Sequence, residues 1–397
     1  MKRIRWTAGL FVLVLSAVNV FGENVPDGVP ADENSPETQA FSQDVRLCEH
    51  FSPDFQIGTA VSPFQLRVPE LREHILRHFN SLTAENCMKP EAIYRNDAFC
   101  DFRQADALVE FAQENGLAVR GHTLVWHSQT PRGFFRDENG EKLSKDALYA
   151  RLERYMTAVL THFRGKVYCW DVVNEAISDY GPEIYRTHSP WYEICGKEFI
   201  AEAFRMAHRI DPDIRLYYND YGLISPEKRR KTVEMLRGLL ADGVPIHGVG
   251  IQAHWNMHYF SPEELQKSID AFAELGLDVQ ITELDMSVHG RRPPHQAEEE
   301  KEPQKDGFTE EEEALQAERY AQAFEVLRRN ADRISSVTFW GISDGHTWLS
   351  YRGKGKDFPL LFDAELQPKE AFRKITSPEL LSVEMPDGVP RINEDGM

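Results

Sequence analysis

Trp170-Asp-Val-Val-Asn-Glu175 is a largely apolar β-type run that turns polar only where it ends, at Asn174 and Glu175. A carboxyl at that position sits against packed apolar walls. Such walls disfavour the ionised form and raise the pKa, which is what a general acid working near neutral pH requires. Asn174 beside it can donate a hydrogen bond to a hydroxyl of a bound molecule. Taken alone, Glu175 could equally be a strand-end residue in a surface salt bridge, so the reading depends on what surrounds this run.

The pattern recurs along the chain. β-type runs are expected at Phe55–Ala60, Phe79–Glu85, Ala118–Trp126, Val167–Glu175, Arg215–Tyr221, Gly248–Trp255, Asp278–Asp285 and Ser335–Ser343. Between them lie helical patterns such as Gln104–Asn115, Lys145–Arg164, Ile194–Ile210, Glu227–Ala241, Pro262–Leu275 and Glu312–Arg328. In the first of these, Ala107, Leu108, Phe111 and Ala112 follow the helical period and Gly116 supplies a stop. Strand–helix alternation of this kind over about 330 residues predicts an α/β fold, a single (β/α)8 TIM barrel. A doubly wound open sheet is the alternative. The polar and aromatic residues favour the barrel because they collect at the ends of the runs: Glu85-Asn86, His122 to His127, Asn174-Glu175, Asn219-Asp220, Gln252 with His254, Glu283 with Asp285, and Trp340 to Asp344. In a barrel those ends share one rim, and the rim carries the site.

The rest of the chain fits an exported, soluble protein. Of its 397 residues, 1–22 read as a signal peptide: Lys2, Arg3 and Arg5, then the apolar run Leu10 to Val18, then small or apolar residues to Gly22. Removing those three cations takes the formal charge from −19 to −22, which argues against nucleic-acid partners and for a neutral or weakly charged substrate. Residues 23–44 are an acidic, Pro-rich linker, 45–378 the catalytic domain and 379–397 a tail. A PDGVP string occurs in both the linker and the tail, at Pro26 to Pro30 and at Pro386 to Pro390. No later segment is apolar for long enough to span a bilayer, so no membrane association is expected after cleavage, and a monomer in the periplasm or outside the cell is. The stretch Arg291 to Glu313 reads as a solvated, charged insertion running into a helix. Five cysteines, Cys48, Cys87, Cys100, Cys169 and Cys195, leave at least one unpaired in a monomer. They read as buried free thiols, although Cys87 and Cys100 could bridge. No pair has CxxC spacing, so no metal is expected, and no Gly-rich loop suggests a phosphate cofactor; no cofactor is expected at all.

Glu283 ends the run Val279-Gln-Ile-Thr-Glu-Leu-Asp-Met. Asp285, two residues on, shares its face, and Gln252 and His254 form a similar pair on the preceding run. A nucleophilic carboxylate must stay ionised, and nearby donors achieve that. His254 is therefore expected to donate to Glu283 while Asp285 orients the imidazole. Two carboxyls at one rim are the minimal equipment for glycoside hydrolysis, with retention of configuration at a separation of about 5–5.5 Å and inversion at roughly 6.5–9.5 Å. Trp126, Trp340 and Trp348 offer flat faces for pyranose rings, and Glu85, Asn86, Lys89, His122 and Gln252 offer hydrogen bonds to hydroxyls.

From about Cys48 to Ile375 the chain resembles glycoside hydrolase family 10, the endo-β-1,4-xylanases. The resemblance is carried by Thr83-Ala-Glu-Asn-Cys-Met-Lys89, Arg120-Gly-His-Thr-Leu-Val-Trp-His-Ser-Gln129, Trp170-Asp-Val-Val-Asn-Glu175, Tyr218-Asn-Asp-Tyr221, Gln252-Ala-His254, Ile281-Thr-Glu-Leu-Asp285 and Phe339-Trp-Gly-Ile-Ser-Asp344, in the family's order. It implies an eightfold barrel, a retaining mechanism and xylan or xylo-oligosaccharides as substrate. It makes Glu175 the acid/base and Glu283 the nucleophile, supported by Asn174, His254 and Asp285. Glu85, Asn86, Lys89, His122, Trp126, Gln252, Trp340 and Trp348 become substrate-binding residues. The chain departs from the family at Pro90, where many relatives carry Trp, at Gly345-His346, where an Arg–aromatic pair is common, and at Ala253 and Trp255. A non-catalytic sugar-binding barrel would lack one of the two glutamates; a barrel acting on glucan or mannan would share them.

If the leader reading is right, protein recovered from outside the cytoplasm begins near residue 23. N-terminal sequencing checks this, and a chain still carrying Leu10 to Val18 would contradict it.

Overall fold

The computed structural model describes residues 45–289, 307–351 and 355–377. The expected leader, linker and tail, and most of the charged insertion, lie outside these residues.

Eight strands follow one another as β1 (Gln56–Val61), β2 (Ser81–Ala84), β3 (Ala118–Gly121), β4 (Cys169–Asn174), β5 (Arg215–Asp220), β6 (Gly248–Ile251), β7 (Asp278–Ser287) and β8 (Ile334–Phe339). Each pairs in parallel with its sequence neighbours, and β8 returns to β1 in the register Gln56↔Ser336 to Thr59↔Phe339, so the sheet closes. The connections carry α1 (Pro69–His78), α2 (Arg103–Glu114), α3 (Lys145–Phe163), α4 (Glu198–Ile210), α5 (Pro226–Ala241), α6 (Pro262–Ala273) and α7 (Glu310–Arg329), with α8 (Glu370–Ile375) after β8. This is the (β/α)8 barrel, not the open sheet. A closed sheet leaves no edge, and it sends every strand's C-terminal end to one face.

Local sequence explains where the helices begin and end. Ser144 accepts a hydrogen bond from the Ala147 amide at the start of α3. Thr309 and Glu312 form a reciprocal capping box at the start of α7, so the charged insertion does run into a helix. Along α4, Phe199, Ile200, Ala203, Phe204 and Ala207 form the buried stripe. The run expected as one helix over Ile194–Ile210 is instead split, because Gly196 takes φ 67 and ends a short helix, Pro190–Cys195, before α4 begins.

Three expected strands leave the ladder several residues before their apolar runs end. β3 stops at Gly121 and pairing resumes only at Val125–Trp126. β6 stops at Ile251 and resumes at His254–Asn256, with Ala253 between at φ 62. β8 stops at Phe339. In each case hydrophobicity continues past the point where the backbone leaves the ladder to aim polar side chains across the rim. All five cysteines are free thiols, Cys87 and Cys100 included.

The barrel interior alternates large and small residues. Gly121 faces the Trp170 indole, and a Cβ there would lie 2.3 Å from the ring. Near it the Arg120 guanidinium pairs with Asp171 through two hydrogen bonds and donates to Gln280 Oε1 at 3.0 Å. Outside the barrel, His74 and His78 of α1 stack 4.7 Å apart against Phe362 and Phe372. His74 Nε2 and His78 Nδ1 have no partner there.

That histidine pair gives a test of acid stability. Burial, reinforced by Arg77 and by His346 near His74, lowers His74 to about 4. Burial, with His74, Arg77 and Arg46, lowers His78 to about 3. Both are neutral in the folded chain. Below pH ~6.5 the unfolded chain takes up protons that the fold refuses, so stability falls with pH until about pH 4 and then 3 are passed, by up to roughly 1.4 kcal/mol per pH unit per site. Urea midpoints measured from pH 7 to 4 are expected to fall less steeply for His78→Leu than for the unsubstituted chain.

Candidate active site

β4 delivers Glu175 to the rim in a left-handed conformation, φ 58. For a residue with a Cβ this costs about 1–3 kcal/mol, and such geometry persists only where its surroundings fix it. Here the Glu175 amide donates to Asn219 O at 2.9 Å, and its carbonyl accepts from Arg186 Nε at 3.1 Å. The turn aims the carboxyl into a cleft. Its Oε2 accepts from Trp126 Nε1 at 2.8 Å, and its Oε1 from Gln252 Nε2 at 3.0 Å and Asn174 Nδ2 at 3.2 Å. Burial and then the Asp220 charge raise the Glu175 pKa, and the bonds from Gln252 and Trp126 only partly oppose them.

Glu283, on β7, lies in the opposite environment. Its Oε1 accepts from Asn219 Nδ2 at 2.8 Å, and its Oε2 is 3.1 Å from His254 Nε2. His254 Nδ1 is 2.9 Å from Asp285 Oδ2, which also accepts from Trp348 Nε1 at 2.8 Å. Burial works against a charge on His254, but Asp285 and then Glu283 outweigh it and push the imidazole up to about 10. Protonated, the ring donates from both nitrogens. Burial would likewise raise Glu283, yet the hydrogen bond from His254, the nearby His122 and the Asn219 amide hold it down at about 2. The donor and its orienting carboxylate are thus the pair expected from the sequence.

Around the two carboxyls lies a cleft of about 650 Å³, lined by Glu85, Asn86, Lys89, His122, Trp126, Asn174, Gln252, His254, Trp340 and Trp348 among others. Asp285 stands behind His254. Lys89 Nζ donates to Asn86 Oδ1 at 3.0 Å and Gln129 Oε1 at 2.9 Å, and lies 4.9 Å from the Trp126 ring centre. Burial raises the Glu85 pKa, and Lys89 works against that rise. His122 Nδ1 is 2.9 Å from Asp171 Oδ2, so the buried Arg120–Asp171 pair sets the ring's orientation. Trp340 meets the rings of His122 and His254 edge-on, at 5.5 and 6.2 Å. Among the described residues no trio of His, Cys, Asp and Glu side chains converges as metal ligands would.

Every residue given a catalytic, supporting or substrate-binding role from the sequence therefore reaches one cleft or stands directly behind it. Two of the tryptophans do more than offer faces, since the Trp126 and Trp348 N–H groups are directed at Glu175 and Asp285. Sequence reasoning assigned no role to Asn219, which donates to Asn174 Oδ1 at 2.8 Å as well as to Glu283. Its signals were its place at a strand end and inside the motif Tyr218-Asn-Asp-Tyr221. Tyr221, His127, Ser128, Gln129 and Gly222, which also line the cleft, sat inside or beside motifs but carried no separate cue.

Known proteins with this architecture align over nearly all of the described chain. A β-1,4-xylanase of Dictyoglomus thermophilum is 45% identical over 332 residues, 83% of this chain and 90% of that protein. Xylanase XynB from Paenibacillus barcinonensis, solved with a conduramine derivative, superposes with a TM-score of 0.79 at 38% identity, covering 84% of this chain and 99% of that one. A Glu-to-Ala variant solved in complex with xylotriose does so with a TM-score of 0.79 at 40% identity and the same coverage. The model of glycosyl hydrolase family 10 matches residues 46–378. By sequence, barrel and alignment alike, the chain belongs to glycosyl hydrolase family 10.

Proposed function

We propose that the chain is an exported, monomeric endo-1,4-β-xylanase that cleaves internal xylosidic bonds of xylan with retention of configuration. The observation that carries the assignment of roles is the opposed environment of two like side chains: Glu175, buried among neutral donors and near Asp220, is raised, and Glu283, against His254, is held at about 2; retention itself is what membership of the family implies. Environments that push two carboxyls apart in this way assign one as acid and the other as the ionised partner.

In the first step the Glu283 carboxylate attacks the anomeric carbon. Glu175 gives its proton to the departing sugar's bridging oxygen, and a covalent glycosyl-enzyme forms. In the second step Glu175, now a carboxylate, takes a proton from water, which attacks the same carbon and releases Glu283. The Asp285–His254 pair steadies the Glu283 charge before attack and as it returns. Asn174 is suited to a hydroxyl of the sugar at the cleavage point, and Glu85, Asn86, Lys89, His122 and Gln252 to the hydroxyls around it. Trp340 and Trp348 are suited to apolar ring faces. Xylose as the sugar is supported by the similarity to xylanases and by the xylotriose bound to one similar structure.

Glu283→Ala is expected to lower xylan hydrolysis by roughly 10³-fold or more with the fold intact by circular dichroism. Near-normal turnover would remove Glu283 from the reaction. During early hydrolysis of a xylo-oligosaccharide, NMR is expected to detect the β-anomer of the new reducing end first; early α-anomer would mean inversion. Reducing-sugar release is expected from xylan and arabinoxylan well above that from mannan or β-glucan.

The two shifts also set a pH dependence. Activity in kcat/KM needs Glu283 ionised and Glu175 protonated. The acid limb should therefore lie far down, near the Glu283 value, and the alkaline limb above the ordinary glutamate range. Glu175→Gln is expected to remove the alkaline limb from the residual activity, as pH profiles of kcat/KM on xylotetraose, run beside the unsubstituted chain, can measure.

A further inference from the structure

The peptide bond that follows Glu175 is held at both of its poles. Its carbonyl accepts from Arg186 Nε at 3.1 Å, and its N–H, on Ala176, donates to Tyr218 Oη at 3.1 Å. From these two contacts a chain of buried or half-buried charges runs round and meets itself. Arg186 pairs with Asp179 Oδ2 at 3.0 Å, and Asp179 Oδ1 with Lys228 Nζ at 2.8 Å. Lys228 Nζ also reaches Asp220 Oδ1 at 2.9 Å, and Asp220 Oδ2 accepts from Tyr218 Oη at 2.5 Å. Tyr221, on the cleft wall, braces the middle: its hydroxyl donates to Asp179 at 2.5 Å and accepts from Arg186 at 2.9 Å, while Lys228 Nζ lies 3.5 Å from its ring centre.

Two carboxylates and two cations balance in this ring, and Asp220 is fully enclosed. A buried charge needs such partners, since removal of one leaves the next uncompensated. Lys228 joins the two halves: among the described residues it is the one cation paired with both Asp179 and Asp220. It sits in the first turn of α5, and it is not among the residues lining the cleft.

We infer that Lys228 is a positioning residue for Glu175, acting through the closed circuit Arg186–Asp179–Lys228–Asp220–Tyr218 that fixes the left-handed turn and hence the direction in which the Glu175 carboxyl points. Its job is to keep the carboxyl in line with the bridging oxygen of the substrate. A small error in that line is costly to proton transfer and irrelevant to a leaving group that departs without a proton. The inference rests on the reading of Glu175 as acid/base.

The test uses two substrates and three variants. Xylotetraose needs a proton on its leaving oxygen; 2,4-dinitrophenyl β-xylobioside does not. Lys228→Met keeps an unbranched side chain of similar length and removes the charge. It is expected to lower kcat/KM for xylotetraose about tenfold and to leave the aryl substrate within about twofold, and Lys228→Arg is expected to recover most of the loss. Glu175→Gln, run beside them, is expected to give the same selectivity more strongly, roughly 100-fold or more. If Glu175→Gln lowers both substrates alike, the acid/base reading falls. If Glu175→Gln is selective but Lys228→Met lowers both alike, or neither, the circuit is structural only and the inference is overturned. Should Lys228→Met fail to fold, Arg186→Lys, which keeps a cation and gives up the contact to the Glu175 carbonyl, carries the same two outcomes.

Discussion

One amide group lies between the two glutamates. Asn219 donates one proton to Asn174 and the other to Glu283, and its oxygen accepts from Thr282 Oγ1 at 2.7 Å, which fixes the amide's orientation. Its backbone carbonyl meanwhile holds the Glu175 amide. Room for the side chain comes from Gly250, where a Cβ would lie 2.2 Å from Asn219 Oδ1. The contact is possible only because β4 and β5 pair with Asn174 opposite Asn219, and because the sheet closes so that β7 comes back into reach. Barrel closure, strand register and the surroundings of both carboxyls therefore meet in one residue.

The two glutamates illustrate how environment overrides residue type. Glu175 directly follows an apolar strand and Glu283 lies within one, and both are pushed toward neutrality by burial. What separates them is the company each keeps. Glu175 accepts from neutral donors, an indole and two amides, with a like charge on Asp220 near by; Glu283 accepts from a protonated imidazole. A charged donor is worth roughly twice a neutral one, which is enough to decide the sign. The Asp285–His254 pair is thus a charge supplied from behind, kept in place by the Trp348 N–H.

Much of this was legible in the sequence. Strand-end clustering of polar residues gave the barrel and its rim, and the i, i+2 spacing of Glu283 with Asp285 and of Gln252 with His254 put the second carboxyl beside its donor. Other parts were not legible, for physical reasons. Apolar runs such as Ala118–Trp126 carry no mark of where the backbone leaves the ladder, because hydrophobicity reports burial, not pairing. The left-handed turn at Glu175 is invisible because a non-glycine residue gives no local cue to positive φ. Asn219 and Tyr218 act across strands, so their partners depend on register and closure, which no single segment specifies. Trp126 looked like a sugar platform; that its N–H would meet Glu175 needed three-dimensional placement.

The ring of charge behind Glu175 also bears on how such a site can vary. Asp179, Arg186, Asp220 and Lys228 come from one loop, one strand and one helix, yet each stands within contact distance of another member carrying the opposite charge. A single replacement strands a charge in a place water barely reaches, whereas a matched double replacement does not. Divergence at these four positions is therefore expected to proceed in compensated pairs. A lineage that has exchanged one pair would pass through an uncompensated, poorly hydrated charge if it returned by single steps, so the contacts behind Glu175 tie the histories of these four positions together.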